Sequence, residues 1–252
     1  MRKRVSYLFK DIFAYQTHTI VKHTHSFVLT LICLLISSAG CKHAITTPLP
    51  VSLLIVNASP DAPGIDVIGN NSVLAQDLTY GNDTGYFSLT TGVYELKAGT
   101  TGATDYFFDN ILSLASNKYY TCFLIDSLSK IQTIFVEDKF SAANGDSAKL
   151  RYLDFSPDAP TLYANFINAT DTVIYASRSF NDQLTNNSKS AFTQIKAGTY
   201  SLQLTATDST AAVKTLDSVI LSAGKVYTVY LKGFYEGTGT QTLSTGTIEH
   251  LQ

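Results

Sequence analysis

At 252 residues the chain is long enough for two small domains, and its hydrophobic residues, 45% of the total, are enough to fill two cores. After Cys41 it carries 13 Lys and Arg against 19 Asp and Glu, a mild acidity that argues against nucleic acid or an anionic membrane surface as the main partner. Tyr (15) and Phe (14) are abundant and charged residues make up only 15%. Such residues suit pleated, half-buried surfaces, so the composition predicts an all-β fold.

The first 41 residues have the pattern of an export signal. A basic stretch precedes an uncharged apolar run at 27–36, which is shorter than the roughly 20 residues that span a bilayer but fits a secretory signal. Small residues follow at 37–40 and lead into Cys41. This ending resembles a bacterial lipobox, in which the Cys is acylated and becomes the new N-terminus. We therefore predict a lipoprotein signal peptide over 1–41 with lipid attachment at Cys41; the alternative is an ordinary signal peptide cut near Ala39 or Gly40.

Residues 42–50 contain two prolines and two threonines without periodicity, which is typical of a short, semi-extended tether. The first folded unit is then predicted over 51–140. It begins with an apolar strand at 51–56, and a rigid turn ends that strand, because each proline fixes φ and cannot donate to a ladder. This first proline turn consists of Ser59, Pro60, Asp61, Ala62 and Pro63.

Six further strands are predicted in the first unit, at 64–68, 86–89, 93–97, 106–114, 119–125 and 131–136. The second and third of these flank Thr90, Thr91 and Gly92, so we predict a hairpin there. Tyr94 and Leu96 would share one face of its second strand. About seven strands in some ninety residues is the spacing of a β-sandwich.

A small, polar linker is predicted at 141–148, and a second unit over 149–252 repeats the plan of the first. The second proline turn consists of Ser156, Pro157, Asp158, Ala159 and Pro160. Corresponding sequence matches lie 97, 106 and 107 positions apart, which predicts an insertion of about nine residues within 165–189. The last apolar strand is predicted at 226–232, and the tail from Glu236 is expected to form a short edge strand or to fray.

The two proline turns, a Gly-x-Tyr strand start and a Lys-x-Tyr-Thr strand together resemble the bacterial "domain of unknown function 4397" family, over roughly 51–232. Members of that family are exported envelope proteins, often lipoproteins, with one or more copies of a β-sandwich. The resemblance implies two tandem immunoglobulin-like antiparallel β-sandwich units, but it supplies no catalytic residues. Asp66-Val67 follows the first proline turn, as is common in the family, whereas Tyr163-Ala164 follows the second.

The histidines argue against most enzyme classes. They are His18, His23, His25, His43 and His250; the first four precede the first unit, and His250 lies at the end of the tail after the last apolar strand, so none is expected within the folded body of either unit. A Ser-His-acid, Cys-His or His-based zinc site therefore has no ligands or base there. We predict no catalytic residue, no metal and no cofactor, and a buried, unreactive Cys122.

Two weaker possibilities involve acids and tyrosines. Asp61, Asp66, Asp154 and Asp158 lie near turns, but without an Asp-x-Asp-x-Asp run they are better interpreted as turn residues than as calcium ligands. The many tyrosines could stack on sugars, although core packing is their commoner role.

The sequence therefore predicts a lipid-anchored envelope protein, most simply of the outer membrane, that is non-enzymatic and serves in binding or surface structure. Its partners would be the membrane, through the lipid, and either a polysaccharide or another envelope protein. The alternatives are a carbohydrate-binding lipoprotein that uses exposed tyrosines, a carboxylate-dependent hydrolase, and a periplasm-facing structural subunit without a ligand.

Overall fold

A computed structural model describes residues 49–139 and 141–250, which belong to one compact unit that extends over 48–252. Residues 1–48 lie outside the described residues, and with them the predicted signal peptide, the predicted lipid attachment at Cys41 and most of the predicted tether. The last two residues also lie outside. The described part of the chain contains no helix long and apolar enough to cross a bilayer.

The first half, as we call residues 51–137, consists of eight strands. They are β1 (Val51–Asn57), β2 (Ile65–Gly69), β3 (Ser72–Leu78), β4 (Phe87–Leu89), β5 (Gly92–Thr100), β6 (Phe108–Leu114), β7 (Tyr119–Ile125) and β8 (Gln132–Glu137).

The second half, residues 147–250, also consists of eight strands. They are β9 (Ser147–Asp154), β10 (Leu162–Ile167), β11 (Thr172–Arg178), β12 (Thr193–Lys196), β13 (Gly198–Ala206), β14 (Ala212–Leu221), β15 (Val226–Lys232) and β16 (Ser244–His250). Short 3-10 turns at Asp182–Leu184 and Asn187–Ser190 connect β11 to β12.

Each half is a pair of four-stranded sheets with the same strand order. The orders are β4-β1-β7-β8 and β3-β2-β5-β6 in the first half, and β12-β9-β15-β16 and β11-β10-β13-β14 in the second. The predicted all-β sandwich class is confirmed. One pair in each half runs parallel, β1 with β7 and β9 with β15, and the strands of the facing sheet provide the long crossover that a parallel pair requires.

The predicted hairpin between 86–89 and 93–97 is wrong. Strand β4 pairs with β1, whereas β5 pairs with β2 and β6, so the chain passes from one sheet to the other at residues 90–91. Local turn residues cannot distinguish a hairpin from a sheet-to-sheet crossing. The predicted faces of β5 are nevertheless right, because Tyr94 and Leu96 point into the core.

The predicted insertion is confirmed. Equivalent strands are offset by 97 positions at β2 and β10 but by 106 at β4 and β12. The extra residues therefore lie in the β10–β11 turn, 168–171, and in the segment between β11 and β12, 179–192, which extends three residues beyond the predicted range of 165–189.

Four apolar clusters hold the described residues together. Two lie in the first sandwich and one fills the second. The fourth lies where the halves meet, with Phe123 packed against Phe155 and Tyr230 at ring-centroid distances of 4.7 and 5.4 Å. Since all three side chains are almost fully buried, the two halves share a core at this junction.

Candidate functional site

The two proline turns are held by equivalent hydrogen bonds. The Oδ1 atom of Asp61 accepts from the backbone N–H of Leu128 at 2.7 Å, and that of Asp158 accepts from the N–H of Tyr235 at 2.6 Å. Both donors lie just after the strand that pairs in parallel with the strand preceding the turn, β7 or β15. Each Asp thus links its proline turn to the equivalent loop of its own half, the one that follows β7 or β15.

A second side chain, just ahead of each turn, differs between the halves. In the first half Asn57 Oδ1 accepts from the N–H of Ser59 at 3.1 Å, and in the second Asp154 Oδ1 accepts from the N–H of Ser156 at 3.0 Å. Asp154 is 1% exposed, and burial raises the pKa of its carboxyl to about 7. The same backbone contact is therefore made by a neutral amide in one half and by a buried ionisable group in the other.

The four aspartates considered as calcium ligands all accept backbone N–H groups. Asp66, the fourth, accepts from Asp77 at 2.8 Å and from Gly102 at 3.1 Å, and these bonds lower the pKa of its carboxyl. No group of three or more His, Cys, Asp or Glu side chains with metal-binding geometry occurs within 49–139 and 141–250.

A buried polar network connects the two halves. Arg151 Nη2 donates to Asp138 Oδ1 at 2.6 Å, and both side chains are fully buried. Asp138 Oδ2 accepts from Tyr86 OH and from Thr121 Oγ1, each at 2.7 Å. The Arg151 guanidinium also lies 4.5 Å above the ring of Phe192. A buried charge pair with this many additional partners fixes the two halves in one arrangement.

His250 closes this network, so the expectation that no histidine lies within the folded body is wrong. Arg151 Nε donates to Thr228 Oγ1 at 2.9 Å, which leaves the Thr228 hydroxyl proton for His250 Nε2 at 2.7 Å. The other ring nitrogen, Nδ1, then carries the proton and donates to Tyr86 OH at 2.7 Å. His250 is 1% exposed, and burial lowers its pKa to about 4.

The sequence interpretation missed His250 because a Gly- and Thr-rich tail gives little periodicity. In the structure this tail ends in β16, which pairs with β15 over seven residues. Ile248 and His250 share the buried face, and this alternation was the available indication. A neutral, fully buried imidazole bonded on both sides has no access to a substrate, so we interpret it as structural.

Arg178, the other arginine of the described residues, is also buried. Arg178 forms a forked pair with Asp182, with Nη2–Oδ1 at 2.8 Å and Nε–Oδ2 at 2.9 Å, and Lys189 reaches the same carboxylate at 2.8 Å. Burial alone would raise the pKa of Asp182, but the bonds from Arg178 and Lys189 outweigh it and keep the pKa below its ordinary value. This cluster stabilises the inserted segment between β11 and β12. Because Arg178 is paired here and Arg151 is paired with Asp138, neither arginine is available to an external anion.

The remaining single-residue predictions have clear outcomes. Cys122 is fully buried in β7, and burial raises the pKa of its thiol, as expected for an unreactive core residue. Most of the tyrosines proposed for sugar stacking pack in the cores or at the junction. Tyr106 is 45% exposed, and Tyr163 is half-buried on an outer sheet face.

That outer face carries a groove of about 510 Å³, which runs along β10 between β11 and β13. Leu162, Ala164 and Phe166 point inward to the core. The alternate residues of the same strand, Tyr163, Asn165 and Ile167, therefore line the groove. Its other lining residues come from the neighbouring strands and from the β13–β14 turn: Thr172, Ile174, Gln203, Thr205, Thr207, Asp208, Ser209 and Thr210.

The groove contains polar groups that the protein does not use. Asn165, 7% exposed, donates through Nδ2 to Gln203 O and to Thr205 Oγ1, both at 3.1 Å. These bonds orient its amide and leave Oδ1 as an acceptor facing the groove. The Gln203 side-chain amide and the Tyr163 hydroxyl bond to none of the described residues. An oriented amide, a free amide and an aromatic ring converge on one surface, as is typical of a ligand site.

Two other cavities lie between the halves. One, of about 500 Å³, lies next to Phe192 and includes Lys139 and Lys149. The other, of about 430 Å³, lies between the first proline turn and Gln241. Lys139 is paired with Glu137 at 3.3 Å, and Lys149 donates to Ser141, so the cations of the first cavity already have protein partners. The groove on β10 is therefore the better candidate site.

A family model described as "Domain of unknown function (DUF4397)" matches residues 51–165, which cover the first half and the start of the second. Two solved structures that were found to be similar have very low structural agreement. One is the Bacillus anthracis TIE protein, 11% identical with a TM-score of 0.23, covering 73% of this chain and 34% of that one. The chain thus spans about a third of that protein's length.

The other structure is CBMbc (family CBM26) from Eubacterium rectale Amy13K, in complex with maltoheptaose. It is 11% identical with a TM-score of 0.22, covering 80% of this chain and 96% of that one. TM-scores this low do not relate the chain to either protein. No curated protein matches the sequence.

Proposed function

We propose that the chain is a non-enzymatic binding module of a bacterial cell envelope, with a polysaccharide or another envelope protein as its partner. The groove along β10 carries this proposal, because it presents Tyr163, Asn165 and Gln203 with hydrogen-bonding capacity that the protein leaves unused. Polar groups held ready in a concave surface are better explained by a ligand than by stability, since stability would favour pairing them within the protein.

The absence of an enzymatic activity is part of the proposal. Two buried groups of charges occur among the described residues. The Arg151–Asp138 pair is closed to solvent, and the Asp182 carboxylate is bonded by both Arg178 and Lys189. His250 is buried and neutral. A carboxylate-dependent hydrolase remains the alternative, and it predicts that a single Asp or Glu substitution abolishes a measurable glycosidase activity.

Photocrosslinking in intact cells tests the binding function without assuming a ligand. A photoreactive residue replaces Gln203 in the groove, and in a matched strain it replaces Lys97, which occupies the same register position on the first half. We expect a discrete adduct from position 203 and none from position 97. The same adduct pattern at both positions, or no adduct at 203, would contradict a binding site at the groove and favour a structural subunit without a ligand.

We further propose that a lipid on Cys41 holds the protein in the outer membrane. Two or more acyl chains anchor a protein stably, since each buried methylene contributes about 0.8 kcal/mol. Cys41→Ala should release the protein from membranes and change the mass of the mature chain. Protease treatment of intact cells, with periplasmic markers as controls, then distinguishes a surface-exposed protein from one that faces the periplasm.

A further inference from the structure

We infer that the groove along β10 binds an uncharged glycan and that the first half, on its equivalent face, does not. The inference rests on the proposed binding function and specifies its ligand. It follows from a comparison of the same register positions in the two halves, which share a fold but differ in the chemistry of this face.

The equivalent face of the first half is occupied by charges bonded to one another. Lys97, at the position of Gln203, pairs with Glu95 at 3.0 Å and with Asp109 at 3.7 Å. Asp66, at the position of Tyr163, holds the loop at Gly102 and the backbone of Asp77. Ile68 stands at the position of Asn165. An aromatic ring, Tyr106, also lies on this face, but the Lys97 ammonium lies over it at 5.9 Å. The face therefore presents paired charges and a ring covered by a cation, and no free amide.

In the second half the equivalent positions carry side chains that can bind a sugar. Amides such as those of Asn165 and Gln203 both donate and accept, as sugar hydroxyls do. The ring of Tyr163 and the side chain of Ile174 offer apolar surface to the C–H faces of a sugar ring. From Tyr163 to Ile167 the groove extends for four residues along a strand, about 13 Å, which is enough for a short oligosaccharide segment.

The charges argue that the glycan is uncharged. Asp208 in the β13–β14 turn is the charged residue of the lining, and its carboxylate would repel uronic acids and sulfated sugars. The two arginines of the described chain, which would be the strongest anion ligands, are buried in ion pairs elsewhere.

Affinity electrophoresis of the full chain in detergent tests the inference. The gels contain dextran, mannan, xylan or a mixed-linkage glucan as uncharged probes, and polygalacturonate or alginate as anionic probes. The variants are Tyr163→Ala and Gln203→Ala, with Tyr106→Ala as the matched control, because Tyr106 is an exposed tyrosine of the first half.

We expect at least one uncharged polysaccharide to retard the wild-type protein, with little change between low and high salt. Each groove variant should weaken the binding by about tenfold, equivalent to about 1.4 kcal/mol, whereas Tyr106→Ala should bind as the wild type does. Retardation by the anionic probes alone, or binding that salt abolishes, would overturn the inference. So would binding of uncharged probes that both groove variants retain, or no binding to any uncharged probe.

The photocrosslinking experiment distinguishes a wrong assignment of the ligand from a wrong assignment of the groove as a binding site. An adduct at position 203 that contains protein or anionic glycan, together with no binding of uncharged probes, would leave the groove as a binding site and overturn its assignment to uncharged glycans. No adduct at position 203 and no binding in the gels would contradict both.

Discussion

Asp154, the carboxyl buried ahead of the second proline turn, should make the protein less stable as the pH rises. Its equivalent in the first half, Asn57, makes the same contact to the backbone without a charge. Replacing Asp154→Asn therefore retains the hydrogen bond to Ser156 and removes an ionisable group from a site that is 1% exposed. We expect the variant to fold and to gain stability above neutral pH.

The magnitude follows from the difference in pKa between the folded and unfolded states. The pKa of Asp154 is raised from 3.8 to about 7, so its favourable contribution is present at low pH and is lost as the pH rises through 7. Between roughly pH 5 and pH 7 the folded carboxyl keeps its proton while the unfolded one has lost it, so stability falls by about 1.4 kcal/mol per pH unit over about two units. Above pH 7 both states are ionised and the loss levels off. The stability advantage of Asp154→Asn over the wild type should therefore grow by about 3 kcal/mol between pH 5 and pH 7.

Urea unfolding of the full chain, followed by circular dichroism or tyrosine fluorescence, measures this difference. The reciprocal change, Asn57→Asp, is the matched test: it introduces a charge at 0% exposure and removes the bond that Asn57 Nδ2 donates to Leu78 O at 2.9 Å. It should destabilise the protein, and more at pH 8 than at pH 5. An advantage of Asp154→Asn that does not change with pH would refute the reasoning.

Three further predictions concern other buried groups. Asp138→Ala leaves Arg151 buried without a counter-charge and should lower the free energy of unfolding by about 3–5 kcal/mol in urea, whereas Glu249→Gln, at an exposed ion pair, should leave the midpoint near that of the wild type. His250, whose pKa falls from 6.5 to about 4, contributes stability that is lost as the pH decreases between those values; His250→Gln should remove this dependence, and an unchanged slope in urea titrations would contradict it. Cys122 should react with iodoacetamide only after unfolding, as mass spectrometry would detect; rapid labelling of the native protein would disprove its burial.

The all-β class could be predicted from the sequence because its indications are local. Apolar runs, turn residues and the repeated proline turns locate β1, β2 and β7 to within one residue at each end, whereas β5 extends three residues beyond its predicted end. Strand β3 was missed, because it is mostly exposed and follows Asn70 and Asn71 without an apolar alternation. Pairing was not predictable at 90–92, since the choice between a hairpin and a sheet crossing depends on which partner strand is free.

The candidate site could be predicted only in part. The contrast between Asp66 and Tyr163 was visible in the sequence, but its meaning depended on the register that places Tyr163 beside Asn165 and Gln203 on one face. The junction network was not predictable, because Tyr86, Asp138, Arg151 and His250 are far apart in the chain. Only the meeting of the two halves brings them within hydrogen-bonding distance.

The parallel pairing of β1 with β7 also determines the order in which each half can fold. Ser52 pairs with Tyr119, 67 positions later, and Lys149 pairs with Val226, 77 positions later. In each half, the central pair of the sheet that contains β1 or β9 therefore cannot form until nearly the whole half is available, and such long-range closure slows folding. Such late closure is compatible with the export proposed above, in which the chain would cross a membrane as an extended polypeptide and fold afterwards.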